Sequence, residues 1–215
     1  MKFKTGIAGL DEFLQGGLPP RVILLLGAPG SGSEVFARQV AYSRATQSGV
    51  TYFLAAKPPE TVKDDMSTYG WDVAALEEKG SWRFLNLNKA GSLTDTVTRE
   101  MKDGRCLVID SLSELLLTSK VEEGVQILNS MAIQNRECKG LHIILLTGGM
   151  QDSKVETTIQ HFAEGIIVFT TRWEAAETSR SLLIKKMLGG FAPSRRLPYS
   201  IGERGFTVET AIRIT

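Results

Sequence analysis

The chain has 215 residues, with 25 Lys or Arg and 24 Asp or Glu, so its net charge is +1 at pH 7. This near-neutral balance argues against binding of polyanions by bulk charge. No apolar run reaches the roughly 18 residues that a membrane-spanning helix needs, and the N-terminus lacks the apolar run of a signal peptide. We therefore expect a cytoplasmic protein that forms one domain over residues 1–215.

Charge and cysteine usage refine this expectation. Residues 1–170 hold 17 basic and 20 acidic side chains, whereas residues 171–215 hold 8 and 4, which makes the C-terminal part mildly basic. The two cysteines, Cys106 and Cys138, lie in apolar or helical contexts without metal-ligand spacing. They indicate a reducing compartment and a role in packing.

Short apolar runs alternate with helical stretches along the first 170 residues. Strands are expected at Val22–Leu26, Thr51–Ala55, Trp82–Leu87, Cys106–Ile109, His142–Thr147 and Ile166–Thr170. Helices are expected over residues 33–48, 59–69, 92–103, 121–138 and 154–163. Because continuously apolar strands are typical of sheets covered on both faces, the pattern predicts an α/β fold with a doubly wound, mainly parallel sheet.

After about residue 170 the pattern changes to short strands joined by Gly and Pro turns. These strands are expected at Ser181–Lys186, Pro198–Ile201, Phe206–Glu209 and Ile212–Ile214. No linker separates them from the preceding part, so we expect them to form an antiparallel extension of the same sheet.

The most informative segment is residues 27–34, GAPGSGSE, which follows the first strand and opens the first long helix. It resembles the phosphate-binding loop G-x-x-x-x-G-K-[ST], in which backbone N–H groups and the helix N-terminus cradle phosphates. Gly27 and Gly32 have the required spacing. However, Ser33 replaces the lysine and Glu34 replaces the hydroxyl that holds Mg²⁺.

These two replacements remove the charges that nucleotide binding uses. The lysine of a working loop lies between the outer phosphates, and the hydroxyl fixes the metal. Ser33 supplies no charge, and Glu34 places a negative charge beside a polyanion. Like charges about 4 Å apart repel by roughly 1 kcal/mol in water and about 4 kcal/mol near a protein surface, which predicts a loss of about one to three decades in affinity.

The same residues allow two interpretations of the loop. Ser31 to Glu34 fits the capping box S/T-x-x-E, which predicts that the Ser31 and Glu34 side chains bind the N–H groups that a phosphate would otherwise take. The loop would then be closed on itself, from Gly27 and Gly30 to the helix start, and no cofactor would bind. Alternatively, Glu34 is a solvated acid of the first turn, and ATP with Mg²⁺ still binds weakly.

A second strand ends in a residue suited to the same chemistry. Asp110 follows the apolar strand Cys106–Ile109, and ligands of such sheets bind at the carboxyl ends of the strands. The strand resembles a Walker B strand, whose aspartate would hold Mg²⁺ through water. The alternative is that Asp110 caps the helix that follows. A further alternative is an enzyme with a rebuilt active site, in which Glu34 and Asp110 share a metal ion. We do not expect it, because no nucleophile or base accompanies these two residues.

Several segments together resemble the KaiC-like branch of the RecA superfamily of ATPases. Residues 5–19, TGIAGLDEFLQGGLP, are similar to the family's T-G-I-x-G-x-D-x-x-L-x-G-G-L-P, and residues 69–72, YGWD, to its F/Y-G-W-D. Residues 184–189, IKKMLG, resemble I-x-K-M-R-G. Residues 197–201 and 205–208 resemble R-P-Y-x-I and G-I-x-V. The resemblance covers almost the whole chain and implies a RecA-like fold.

The departures from this pattern bear on activity. The family carries adjacent glutamates after the second strand, where a carboxylate activates water; here those positions fall on Ala56 and Lys57. Its K-M-R motif reaches a neighbouring subunit's site as an arginine finger; Lys186 is retained, but Leu188 replaces the arginine. Loss of such a finger alone typically costs about 10³–10⁵ in rate. The resemblance therefore implies a pseudo-ATPase.

Two functions follow from this resemblance. The first is a non-hydrolysing scaffold or regulator that forms homo- or hetero-oligomers with RecA/KaiC-like subunits. The second is a recombination accessory protein, similar to archaeal RadA paralogues, that binds single-stranded DNA. Its candidate contacts are Arg172, Arg180, Arg195 and Arg196, although these are also what solvated surface charges look like. We expect structural roles for the two histidines, His142 and His161, and packing roles for the three tryptophans, Trp71, Trp82 and Trp173.

Overall fold

One mixed sheet organises the chain in the computed structural model, which describes residues 1–87, 92–173, 178–189, 193 and 195–209. Its strands within these residues are β1 (Val22–Gly27), β2 (Val50–Leu54), β3 (Trp82–Asn86), β4 (Cys106–Asp110), β5 (His142–Thr147), β6 (Gly165–Trp173), β7 (Thr178–Met187), β8 (Leu197–Gly202) and β9 (Gly205–Val208). They lie in the order β3-β2-β4-β5-β1-β6-β7-β8-β9.

The pairing between neighbouring strands changes once along the sheet, from parallel to antiparallel. All pairs from β3 to β6 are parallel. The pairs β6–β7, β7–β8 and β8–β9 are antiparallel. The predicted parallel sheet with an antiparallel C-terminal extension is therefore confirmed. The expected strand over 212–214 lies outside the described residues.

The helices cover both faces of this sheet. They are α1 (Leu10–Phe13), α2 (Ser33–Ala45), α3 (Pro59–Ser67), α4 (Val73–Glu78), α5 (Leu93–Lys102), α6 (Leu112–Leu115), α7 (Val121–Cys138) and α8 (Ser153–Phe162). The five predicted helices are present with shifts of a few residues at their ends, whereas the sequence pattern does not predict the short α1, α4 and α6. None of the helices in the described ranges is long and apolar enough to cross a bilayer.

Side-chain caps fix where several helices begin. The side chains of Asp72, Ser92, Ser111 and Asp152 each accept a hydrogen bond from the backbone N–H three residues later. Each therefore satisfies one of the N–H groups that a helix start leaves without a partner. The cap of α6 is Ser111, so the alternative assignment of Asp110 as a helix cap is wrong.

Alternate residues of the central strands pack into two cores. Along β1, Ile23 and Leu25 belong to a core that includes α2, whereas Val22 and Leu24 belong to a core on the opposite face that includes α7. Neighbouring residues of a strand point to opposite faces, which explains why these strands are apolar at every position.

Two of the three tryptophans pack as expected, and the third does not. Trp71 and Trp82 are buried, but Trp173 is 71% exposed. The pairing of β6 with β1 ends at Phe169, so the last residues of β6 pair only with β7. The prediction that Trp173 has a packing role is wrong because the end of β6 extends past β1 and its last two residues are exposed.

His142 is buried at the start of β5, consistent with a structural role. Its Nδ1 accepts a hydrogen bond from the N–H of Leu107 at 3.2 Å, and its Nε2 is buried without a partner among the described residues. Burial lowers the pKa of His142 to about 3. The folded protein therefore keeps this imidazole neutral well below the pKa of an exposed histidine.

This histidine should make the fold acid-sensitive. A folded pKa below the unfolded value of about 6.5 means that the unfolded chain binds the proton first, so stability present above pH 6.5 is lost as the pH falls. Between pH 7.5 and pH 5.5 the contribution is about 1.4 kcal/mol. Urea unfolding of the wild type and of His142→Asn should show this slope only in the wild type. His161→Gln is the matched control, and an equal slope in all three proteins would contradict the assignment.

Candidate nucleotide site

The candidate phosphate loop lies where the sequence predicts, between β1 and α2 at the carboxyl edge of the parallel strands. Gly30 and Gly32 have φ angles of 79° and 81°, which side chains rarely adopt. Gly27 has no room for a side chain, because a Cβ there would lie 2.3 Å from Ser31 Oγ. The glycines of the motif are thus required by the loop's own geometry.

The expected capping box is absent. The N-cap of α2 is Gly32 in the left-handed conformation, and no side chain of the described residues caps the helix. A capping box needs an N-cap in an extended conformation whose hydroxyl reaches forward along the helix. Ser31 lies before this cap, with its hydroxyl turned toward Gly27. The prediction that Ser31 and Glu34 close the loop is therefore wrong.

The two serines of the loop bind each other rather than the backbone. Ser33 Oγ lies 3.4 Å from Ser31 Oγ and 3.5 Å from a Glu34 carboxylate oxygen. The N–H groups of Gly32 and Ser33 have no hydrogen-bond acceptor within the described residues. The backbone of the loop still presents donors, although the side chains that would add positive charge are gone.

Strand β8 holds the loop from one side. The Tyr199 hydroxyl donates a hydrogen bond of 2.5 Å to the carbonyl of Ser31, and the side chain of Ile201 packs directly on Gly32. Burial raises the pKa of Tyr199 to about 12, so this phenol stays protonated and a donor at neutral pH. The antiparallel extension thereby fixes the conformation of the loop.

An open cleft of about 490 Å³ lies over the loop. Its lining includes Gly30, Gly32, Glu34, Val35, Arg38, Lys57, Asp65, Thr68, Tyr69, Arg180 and Ile201. Three of these residues are cationic and two are anionic. The cleft therefore carries positive charge, but none of it at position 33 of the loop.

Asp110 lies beneath this cleft with its carboxylate already bound. The Tyr52 hydroxyl donates a 2.8 Å hydrogen bond to Asp110 Oδ2, and the guanidinium of Arg38 lies 3.7 Å from the same oxygen. Both Asp110 and Arg38 are at most 5% exposed. The residue that would hold Mg²⁺ in a Walker B strand is instead neutralised by an arginine of the same chain.

Electrostatics keep this cluster in one charge state. Burial alone would lower the pKa of Arg38, but Tyr52, Asp110 and Asp65 raise it above its ordinary value. Asp65 forms a second ion pair with Arg38 at 3.0 Å. Burial and the neighbouring Asp110 raise the pKa of Tyr52 well above its usual range. At neutral pH the site therefore contains a guanidinium from Arg38 and a neutral phenol from Tyr52.

The positions implied for the catalytic base contain none. Ala56 carries no functional group, and Lys57 lines the cleft. A carboxylate that sequence reasoning missed lies nearby, since Glu114 of α6 accepts a 3.3 Å hydrogen bond from the Ala56 N–H. No simple sequence signal marks Glu114, because it reaches this point from a short helix 58 positions away.

The finger positions lie at the opposite edge of the sheet. Lys186 pairs with Ile166 near the start of β6, and its ammonium donates to the carbonyl of His161 at 2.9 Å. Leu188 is half exposed beside them. Within one chain neither residue reaches the loop, and a contact between subunits remains a prediction.

The four candidate DNA-binding arginines do not form one patch. Arg180 pairs with Thr171 and lines the cleft, whereas Arg172 pairs with Ser179 and so lies on the opposite face. Arg195 stacks over the Phe13 ring at 4.8 Å. Arg196 donates to the Thr170 hydroxyl at 3.1 Å.

The described part of the chain contains no group of three or more His, Cys, Asp or Glu side chains that could hold a metal ion. Glu34 and Asp110 are therefore not supplemented by a third ligand of these types within that part. Binding of Mg²⁺ with a nucleotide, which would bring its own phosphate oxygens, stays an untested prediction.

The glycine loop lies between β1 and α2, and Asp110 ends β4 at the same edge of the sheet. This arrangement is typical of the class of P-loop ATPase folds. A family model described as "ATPase: KaiC" matches residues 3–212, and the chain belongs to this family. The resemblance inferred from the opening and closing motifs is thereby confirmed.

Relatives extend over nearly the same length. UPF0273 protein PH0284 of Pyrococcus horikoshii is 28% identical, with 96% of this chain and 93% of the relative aligned. UPF0273 protein MJ1359 of Methanocaldococcus jannaschii is 27% identical over 96% of each chain. The solved structure of KaiC-like protein PH0186 from P. horikoshii superposes with a TM-score of 0.79 at 24% identity, covering 97% of this chain and 99% of that one. At this identity the last comparison establishes the fold alone.

Proposed function

We propose that this chain is a KaiC-family domain that does not hydrolyse ATP and acts as a scaffold or regulator by binding RecA/KaiC-like subunits. The observation that carries the proposal is the state of Asp110, whose carboxylate is bound by Tyr52 and paired with Arg38. Mg²⁺ held by this carboxyl group, even through water, would lie close to the positive charge of a buried guanidinium, which disfavours its binding.

The remaining catalytic positions support the same conclusion independently. Ser33 supplies no charge to the phosphates, Glu34 adds a negative one, and Ala56 cannot accept a proton. Phosphoryl transfer depends almost entirely on such positioning and charge stabilisation. Because losses in separate segments affect the same reaction, restoration at one of them would not compensate for the others.

The surface proposed for binding other subunits lies away from the phosphate loop. Phe162 and Leu188 are exposed apolar side chains, and both lie where α8 and β7 meet at the edge that carries Lys186. Apolar side chains exposed in this way are common at contacts between proteins. An assembly through this edge would not need the arginine that Leu188 replaces.

The pure protein should release phosphate from Mg-ATP at the background rate. Asp110→Ala and Glu114→Gln should leave that rate unchanged, because a contaminating ATPase would survive both substitutions. A turnover that disappears with either variant would overturn the proposal. The Glu114→Gln variant is informative because this carboxylate lies beside Ala56.

Single-stranded DNA binding is a second candidate, supported by the end of β6. Trp173 is 71% exposed and, by strand alternation, shares its face of the β6–β7 pair with Arg180 rather than with Arg172. Exposed aromatic side chains on the same surface as cations stack on unpaired bases. Trp71 and Trp82 are at most 8% exposed, so a change in tryptophan fluorescence would report Trp173.

If this candidate is correct, an oligo-dT strand should quench the tryptophan fluorescence at low salt. Trp173→Leu should abolish the quenching and weaken binding of a labelled strand about 5- to 100-fold, the usual contribution of one stacked base. Lys154→Gln, which removes a positive charge from an exposed site on α8, should change neither. Unaltered binding by Trp173→Leu would exclude this surface.

A further inference from the structure

A second cleft lies at the opposite edge of the sheet from the loop. It has a volume of about 780 Å³ and lies among the N-terminal segment, the end of α2, the start of β4 and the turn between α7 and β5. Its lining includes Met1, Lys2, Phe3, Lys4, Arg44, Gln47, Ser48, Gly104, Arg105, Cys106, Cys138, Lys139, Gly140 and Leu141.

The charges that line this cleft are all positive. The lining holds Lys2, Lys4, Arg44, Arg105 and Lys139 and, within the described residues, no Asp or Glu. None of the five forms an ion pair in the part of the chain that the structure describes. Two carboxylates, those of Glu100 and Asp103, act on Arg105, although burial, the larger effect, lowers the pKa of this residue.

Arg44 is the least usual of these cations, because it is buried without a carboxylate. Its side chain is 6% exposed and lies over the Phe3 ring at 4.5 Å. It donates to Gln47 Oε1 at 2.6 Å and to Ser48 Oγ at 2.8 Å, while its Nε is buried with no acceptor in the described residues. A buried guanidinium without a counter-charge is costly, and burial lowers the pKa of Arg44.

The other cations differ in how firmly they are held. Arg105 donates to Thr51 Oγ1 at 2.9 Å and to the carbonyls of Val50 and Gly80, so its guanidinium is fixed at one wall. The ammonium groups of Lys4 and Lys139 have no hydrogen-bond partner among the described residues. Fixed arginines thus lie beside lysines that are free to close on a ligand.

We propose that this cleft binds a small organic phosphate. Guanidinium groups match the geometry of phosphate oxygens, and a phosphate would supply the negative charge that Arg44 lacks. Met1, which is 90% exposed, lines the cleft beside Phe3 and gives it an apolar surface for the organic part, and the volume falls within the usual range for small-molecule sites. The site is separate from the phosphate loop and does not depend on the function proposed above.

Calorimetry with three probes tests this assignment in EDTA buffer at low salt. The probes are inorganic pyrophosphate, AMP and a 5′-phosphorylated oligonucleotide. AMP should bind measurably and more tightly than pyrophosphate, since its nucleoside adds apolar contact. Absence of AMP binding at millimolar concentration would overturn the proposal. So would tighter binding of the oligonucleotide, which would make the cleft a nucleic-acid site.

Substitutions distinguish this cleft from the phosphate loop. Lys139→Gln and Arg44→Gln should each weaken AMP binding about tenfold, as expected for a lost charge-assisted contact. Lys154→Gln, which removes the same charge from α8, is the matched control. Lys139 is exposed, so its variant keeps the test decisive if Arg44→Gln does not fold. AMP binding that depends on Glu34 and not on Lys139 would belong to the loop and contradict the assignment.

The two cysteines provide a second readout at the site itself. Cys138 is half-buried at the cleft, whereas Cys106 is buried and its pKa is raised to about 12. AMP should therefore slow the alkylation of Cys138 by iodoacetamide several-fold, as measured by mass spectrometry, and Lys139→Gln should remove this protection. An alkylation rate unaffected by saturating AMP would show that the ligand lies elsewhere.

Discussion

Ser33→Lys combined with Glu34→Thr should raise the affinity for Mg-ATP by at least about 100-fold without restoring hydrolysis. The change removes a like charge worth about one to three decades and adds the cation and hydroxyl that phosphates and metal use. The backbone of the loop can still bind phosphate, because the N–H groups of Gly32 and Ser33 have no acceptor within the described residues. Titration calorimetry measures the affinity, and a phosphate-release assay measures turnover.

A matched variant separates the two contributions. Ser33→Ala with Glu34→Ala removes the repulsion without adding a cation, so it should recover only part of the affinity. Hydrolysis at ordinary rates by the variant that combines Ser33→Lys with Glu34→Thr would refute the claim that Ala56, Lys57 and Leu188 prevent catalysis. If that variant binds nothing, features outside positions 33 and 34, such as Ile201 on Gly32 or the Arg38 pair with Asp110, exclude the nucleotide.

Arg38→Leu should destabilise the fold by about 3–5 kcal/mol, the usual cost of leaving a buried charge without its partner. Asp110 is 4% exposed and would keep only the Tyr52 hydroxyl as a partner among the described residues. Urea denaturation at pH 7 measures the change. Arg38→Leu combined with Asp110→Asn should recover most of the loss, because the variant removes both charges.

The double-mutant cycle is the control for this effect. If Arg38 contributes only packing, then Asp110→Asn will not rescue Arg38→Leu, and the two losses will add. A loss below about 1 kcal/mol in the single variant would show that solvent already screens the pair. Asp65→Asn should have a small effect, since that partner of Arg38 is 55% exposed.

The sequence predicts the sheet well because its signals are local. Continuous apolar strands and the glycines after helices mark the elements, and the motifs that resemble the KaiC-like family indicate the fold. The short helices escape prediction because four to six residues give too little periodicity. The prediction for Trp173 fails because a strand's apolar pattern does not show where its neighbouring strand ends.

The site is only partly predictable for a different reason. Positions 27–34 and Asp110 are recognisable as motifs, and the structure brings them to one edge of the sheet. The partners that decide their chemistry come from distant segments with no motif of their own: Arg38 from α2, Tyr52 from the middle of β2 and Ile201 from β8. The capping box fails because the sequence fits it while Gly32 takes a left-handed conformation that the motif does not allow.

The ion pair between Arg38 and Asp110 also bears on how such a protein can change over time. A descendant with a lysine at position 33 alone would still have Asp110 paired with the guanidinium of Arg38. The added lysine would therefore contribute little to catalysis. A descendant that lost Arg38 alone would leave Asp110 buried and uncompensated. If the protein is non-hydrolytic, as proposed, each of these single changes would be neutral or harmful. Gain of ATP hydrolysis would then require coordinated changes that selection cannot reward one at a time.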